Sequence, residues 1–109
     1  MQKISKNLNK YVSKGVTISP VVPSSGEKVT VNYDGLLSKC GASDILVRVG
    51  LGDNWEHQYD YRMKKTETGH QANIPLPVTQ HKTINMCFKD SANNWDNNSG
   101  SNYVFEITQ

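Results

Sequence analysis

Short runs in which apolar and polar residues alternate recur along the chain, separated by segments rich in Gly, Pro, Asn, Asp and Ser. Alternation with a period of two is typical of a β-strand with one buried face. No segment keeps apolar residues at helical spacing over three turns, so the sequence predicts almost no helix. The expected inward-facing sets are Val16 and Ile18; Val29, Val31 and Tyr33; Ile45, Val47 and Val49; Tyr59, Tyr61 and Met63; Ala72, Ile74 and Leu76; Ile84, Met86 and Phe88; and Tyr103, Phe105 and Ile107.

Turn signals lie between these runs. Asp34-Gly35 and Thr68-Gly69 are short turn signals, whereas residues 50–54 and 90–102 are predicted as longer loops. This pattern predicts an all-β fold, an antiparallel β-sandwich with two layers around one core. We assign residues 14–109 to this domain. Residues 1–13 have few apolar side chains to bury, so we expect them to be flexible or loosely docked.

The bulk properties narrow the choice of partners and compartment. The 109 residues suffice for one domain and leave little room for a deep cleft. A net charge of +2 with scattered lysines argues against nucleic acid, and no apolar run is long enough for a membrane-spanning helix. The first residues lack the apolar region of a secretory signal. We therefore expect a monomer, cytoplasmic if Met1 is the native start and extracellular if the chain is an excised module.

The sequence gives little support for a metal site or a catalytic site. Cys40 and Cys87 allow one disulfide at most, and we expect both to be unpaired thiols. Residues 90–101 carry many Asp and Asn side chains, but Ala92 and Trp95 stand where a calcium loop needs a ligand and a glycine. The three histidines are far apart, and a sandwich this small offers no cleft for the paired carboxylates of a glycosidase. We expect no metal, no cofactor and no enzyme activity.

Two tryptophans stand outside the inward sets. Trp55 follows the loop 50–54 and Trp95 lies within 90–102, both among Asn, Asp and Gly residues that cannot enclose an indole in an apolar shell. An exposed indole offers its flat face to the C–H patch of a sugar ring, while neighbouring polar groups bind the hydroxyls at its rim. The alternative is that one or both rings plug an end of the sandwich. Candidates for the hydroxyl contacts are Asn54, Asn94, Asn97, Asn98 and Arg48.

Four segments, residues 47–55, 63–65, 87–90 and 94–103, resemble the family 25 carbohydrate-binding modules, which are related to the starch-binding modules of plant starch synthases. The resemblance covers residues 16–107. It implies an immunoglobulin-like β-sandwich, often attached to amylases, that binds α-1,4- and α-1,6-linked glucans.

The resemblance also implies that Trp55 and Trp95 are the two stacking residues. Many family members carry a histidine shortly before the first tryptophan, where this chain has Arg48. Arg48 lies out of phase with the inward set of its strand and so points outward. It is either a sugar ligand or a solvated surface arginine, and the sequence does not choose between the two.

The sequence therefore predicts non-catalytic binding of α-glucan, such as starch, glycogen or maltooligosaccharides. We expect the loops of Trp55 and Trp95 to meet at the strand ends and form a shallow platform. The partners expected are the glucan and an attached or associated amylase-type enzyme. The alternative function is a protein-interaction β-sandwich that uses the same tryptophans as anchors. The expected site residues are Trp55, Trp95, Arg48, Asn94, Asn97 and Asn98.

Overall fold

The computed structural model describes residues 9–52 and 54–108. Within these residues, strands dominate and the one α-helix is a single turn. The elements are β1 (Val16–Ser19), β2 (Lys28–Tyr33), α1 (Leu36–Lys39), β3 (Ile45–Leu51), β4 (Glu56–Arg62), β5 (Lys64–Thr66), β6 (Gly69–Pro75), β7 (Thr83–Asp90), β8 (Trp95–Asp96) and β9 (Tyr103–Glu106).

The strands form two antiparallel sheets. One sheet has four strands in the order β1-β2-β6-β5. The other has five strands in the order β4-β3-β7-β8, and β9 pairs with the same edge of β7 further along the strand. Two such sheets facing each other form a β-sandwich. The predicted all-β, antiparallel sandwich is therefore confirmed.

The core lies between the two sheets and contains the alternating apolar residues of their strands. In β3, Ile45, Val47 and Val49 are buried, whereas Leu46 and Arg48 between them are partly exposed. Phe88 of β7 pairs with Val47 and stacks on Tyr33 from the opposite sheet, with ring centroids 4.0 Å apart. The period of two thus fixes which side chains each strand buries.

The inward set of β4 is only partly buried. Met63, just after the strand, is buried and Tyr61 is half-buried, but Tyr59 is 41% exposed. The reason is that β4 is an edge strand of the five-stranded sheet. A side chain at a sheet edge can extend past the opposing layer even when its position in the alternation of the strand predicts that it points inward.

The helix α1 was not predicted, because one turn is too short to show helical periodicity. It follows Asp34-Gly35 directly and buries Leu37, whose backbone N–H donates to the Tyr33 hydroxyl (3.0 Å). Its first residue, Leu36, is 58% exposed. No helix among residues 9–52 and 54–108 is long and apolar enough to cross a bilayer.

The segment before β1 is attached to the sandwich in its described part. Asn9 exchanges two hydrogen bonds with the backbone of Ile18, at 2.8 and 3.2 Å. The ring of Tyr11 packs edge-on against Tyr103 and Phe105. A 3-10 helix, Val12–Lys14, then leads into β1. The rest of the segment predicted to be flexible or loosely docked, residues 1–8, lies outside the described residues.

The two cysteines provide a test of the fold. Both are free thiols; Cys40 is exposed, and Cys87 is buried on β7 opposite Arg48. Burial raises the pKa of the Cys87 thiol to about 11, so very little thiolate is present near pH 8.

With an aromatic disulfide reagent at pH 8, we expect one thiol to react quickly and the second only after denaturation. Cys40→Ser should remove the fast phase. Two fast thiols in the native protein would contradict this placement of Cys87.

Candidate functional site

Trp95 lies in β8, not in a loop as the sequence suggested. The strand pairs with β7 through Trp95–Lys89 and Asp96–Phe88. Because successive side chains of a strand point to opposite faces, Asp96 is buried beside Phe88 while Trp95 points away from the core and is 40% exposed. We call the face of the five-stranded sheet that points away from the core the open face. The Trp95 indole lies on it.

Asp96 fixes β8 to the core directly behind this indole. Its carboxylate accepts hydrogen bonds from the hydroxyls of Tyr33 (2.6 Å) and Tyr103 (2.8 Å), and from the backbone N–H of Asn98 (3.3 Å). Burial, followed by the hydrogen bond to Asp96, raises the pKa of both tyrosines, which therefore remain donors. Hydrogen bonds to a charged, buried acceptor are short and strong, so they position the backbone of Trp95 firmly.

Trp55 reaches the same face by a different route. It follows a tight turn, in which its backbone N–H donates to the Gly52 carbonyl (3.2 Å), and it adopts a left-handed backbone conformation with φ of 54°. Its half-buried indole folds back over Gly50 of β3. A Cβ at Gly50 would overlap indole atoms Cε3 and Cδ2, so only glycine permits this close approach. The ring therefore lies on the sheet, not in an end of the sandwich.

Arg48 lies between the two tryptophans. It is two residues from Gly50 along β3, about 6.6 Å away, and its Cζ lies 5.0 Å from the centroid of the Trp95 ring. Asp60 of β4, paired with Arg48 in the register, binds the guanidinium through Nε (2.8 Å) and Nη2 (3.0 Å). This hydrogen bond lowers the pKa of Asp60. Arg48 is thus a fixed, partly exposed guanidinium, which is neither freely solvated nor buried.

The predicted amides have structural partners of their own. Asn94 donates through Nδ2 to Asp90 (3.0 Å), and the same carboxylate accepts from the backbone of Ala92 and Asn94. Asn97 accepts from Gly100 N–H through Oδ1 (3.0 Å). These bonds hold the segment 90–102 that carries Trp95.

The structure brings together some of the predicted residues and separates others. Trp55, Arg48 and Trp95 share the open face. Asn97 and Asn98 instead line a groove beside Trp95, together with the exposed Leu36 of α1. Asn54, the additional hydroxyl-binding candidate, is exposed in the turn before Trp55. The loops thus do not meet at one end of the sandwich as expected. Instead, Trp55 lies over Gly50 of β3 and Trp95 lies beside Lys89 of β7 on the same face of the sheet.

Sequence reasoning missed Asp60 and Lys89. Lys89 pairs with Trp95 and places its Nζ 5.5 Å from the ring centroid. The signal that could have found Asp60 is its outward phase in β4. Its pairing with Arg48 depends on the strand register, which a single sequence does not reveal.

The described residues hold no cluster of three or more His, Cys, Asp or Glu side chains with metal-binding geometry. Two of the three histidines have other contacts. His70 is buried and hydrogen-bonds Ser38 and the backbone of Ser43, and His81 lies 3.3 Å from Glu56.

The Asp96 anchor predicts a large stability effect for one substitution. Asp96→Ala leaves two buried tyrosine hydroxyls without their acceptor, and each hydrogen bond to a charged group contributes about 1.5–3 kcal/mol. We expect the free energy of unfolding, measured by urea denaturation, to fall by roughly 3 kcal/mol or more. Asp90→Ala in the same segment is the control and should cost less, because solvent can replace its exposed contacts. Equal stabilities for the two variants would contradict the anchor.

Comparisons with known proteins identify the family of this chain. The model of the starch/carbohydrate-binding module family 53 matches residues 29–86, just over half of the chain. These residues include Arg48 and Trp55 and end before Trp95. The chain is also 33% identical to an alpha-amylase of Clostridium acetobutylicum over 93 residues, which are 85% of this chain and 12% of the amylase.

The prediction of a starch-binding module is confirmed by the family match, and such a module is not itself catalytic. The narrower resemblance to family 25 is not part of that match and stays a prediction. The chain belongs to family 53 of the starch- and carbohydrate-binding modules.

Proposed function

We propose that this domain binds α-glucan chains on the open face of its five-stranded sheet by stacking on Trp55 and Trp95. The observation that carries the proposal is the arrangement of both indoles on one face with the Arg48 guanidinium between them. The membership in a starch- and carbohydrate-binding family supports the ligand class.

Stacking follows from the chemistry of the two partners. One face of a glucose ring presents C–H bonds, and an indole presents an apolar surface with a negative π cloud. Trp95 is 40% exposed, so part of its surface is open to such a ligand. Two rings fixed on a rigid sheet contact separate sugar units of one chain, and neither ring needs a loop to order on binding.

Arg48 supplies directional contacts. A guanidinium has five N–H donors, and Asp60 engages Nε and Nη2. The remaining donors are available to sugar hydroxyls, in a plane that Asp60 holds fixed. Because the pKa of Asp60 is lowered, the ion pair stays charged at neutral and mildly acidic pH. It is lost only as the pH falls through that lowered pKa.

The affinity per site should be weak, between millimolar and micromolar, or roughly −4 to −8 kcal/mol. The ligand is uncharged, so salt should hardly change it. The amylase relative is about eight times longer than the stretch it shares with this chain. We therefore propose that the domain works attached to, or alongside, an amylase-type enzyme and holds it on its polymer, where repeated contacts add avidity.

Removal of either indole tests the proposal. We expect Trp55→Ala and Trp95→Ala each to weaken maltoheptaose binding about tenfold or more, which is about 1.4 kcal/mol. Isothermal titration calorimetry gives the affinities, and far-UV circular dichroism checks the fold. Val78→Ala is the control, because Val78 is 88% exposed and lies in the connection between β6 and β7, outside the strands of the open face.

Two results would reject the platform. One is a pair of folded tryptophan variants that bind starch as well as the wild type. The other is wild-type retention on cellulose and not on starch. If the tryptophans instead anchor a protein partner, maltoheptaose leaves the tryptophan fluorescence of the wild type unchanged.

Gly50 offers a test that keeps both indoles. Gly50→Ala adds a methyl group where the Trp55 ring now lies, so the ring must move off the sheet. We expect a several-fold loss of affinity and a change in intrinsic fluorescence. Gly41→Ala is the control, since no heavy atom beyond its own chain neighbours lies within 4 Å of its added Cβ, although its φ of +92° also costs stability. Unchanged binding by a folded Gly50→Ala variant would show that the position of Trp55 does not matter.

A further inference from the structure

Trp95 borders a second surface besides the open face. A groove of about 470 Å³ runs between the segment that follows β8 and the single-turn helix α1. We call it the α1 groove. Its lining includes Leu36, Lys39, Trp95, Asn97, Asn98 and Ser99.

The α1 groove continues the open face in one direction. Strand β3 begins at Ile45, shortly after α1, and runs past Arg48 to Gly50. A path from Trp55 above Gly50 to Arg48 and Trp95 therefore moves back toward the end of the sandwich where α1 lies. Trp95 is common to both surfaces, so a glucan chain that stacks on Trp95 can continue from it into the groove.

The lining combines apolar and polar groups in the way a sugar ring requires. Leu36 is 58% exposed, although it is a large apolar residue, and it lies in the groove with the Trp95 indole. Amide groups of Asn97 and Asn98 and the ammonium of Lys39 supply hydrogen-bond partners for hydroxyls. Lys39 lies 3.8 Å from Asp34, so its charge is partly balanced, which suits a neutral ligand.

The wall that carries the amides is already ordered. The backbone carbonyl of Asn97 accepts hydrogen bonds from the backbone N–H groups of Asn102 (2.7 Å) and Gly100 (3.1 Å). Asn98 donates through Nδ2 to the Asn102 carbonyl (3.0 Å). A ligand that enters the groove thus meets a fixed wall and does not have to order it.

We propose that a bound glucan continues past Trp95 into the α1 groove, which forms an additional sugar subsite with Leu36 as its apolar contact. This inference rests on the proposed function and extends it to ligand length. Short oligosaccharides are held by the open face alone, whereas longer ones also fill the groove. The domain therefore prefers long α-glucan chains, and the increase in affinity with length depends on Leu36.

The test measures affinity against chain length for maltotriose, maltopentaose and maltoheptaose by calorimetry. For the wild type, we expect affinity to rise over this series. Leu36→Asp should weaken maltoheptaose binding about fivefold and leave maltotriose binding nearly unchanged, so the length dependence becomes flatter. Lys39→Ala provides a second, milder variant, since its side chain is exposed and its removal does not disturb the core.

The matched control is Val78→Asp, which places the same charge at an exposed aliphatic position outside the groove. It should retain the wild-type length dependence. If Leu36→Asp and Lys39→Ala both keep that dependence while Trp95→Ala still weakens binding, the subsite is wrong and the proposed function stands. If the wild type binds none of the oligosaccharides, both proposals fail together.

Discussion

A buried carboxylate controls the geometry of the candidate site. The Asp96 carboxylate accepts hydrogen bonds from the hydroxyls of Tyr33 and Tyr103, and these two tyrosines belong to the two opposing sheets. A two-residue strand such as β8 has little hydrogen bonding of its own to hold it, so these charged contacts fix its place on β7. Because neighbouring residues in a strand face opposite ways, burying Asp96 makes Trp95 point outward. The interaction that holds the strand in place therefore also determines that the indole is exposed.

The site is positioned by sheet geometry more than by loops. Gly50 lets the Trp55 ring rest on β3, and the Arg48–Asp60 pair spans two neighbouring strands. The pair is partly exposed and adds little to stability, so its main effect is to orient the guanidinium. A preordered surface of this kind suits the proposed ligand, which binds weakly and repeatedly along a polymer.

The sequence supported the fold better than the site. Alternation located seven of the described strands, since each carries at least two apolar residues in phase. It missed β5, because Lys64–Thr66 contains no apolar residue, and β8, because Trp95–Asp96 contains only one residue for each face and shows no period. It also placed Tyr59 in an inward set, but the alternation of a strand does not show that the strand lies at a sheet edge. Arg48 was correctly assigned to the outer face from its phase alone.

What the sequence determined by itself is local: strand phase, the near absence of helix, and two indoles in polar surroundings that cannot enclose them. What only the tertiary structure decided is which distant residues meet. Asp60 binds Arg48, Asp96 accepts a hydrogen bond from Tyr33, and Leu36 lines the same groove as Trp95, each across a dozen or more residues of chain. These contacts depend on strand register and on the packing of two sheets. Both are collective properties, because the burial of all the inward side chains together selects them.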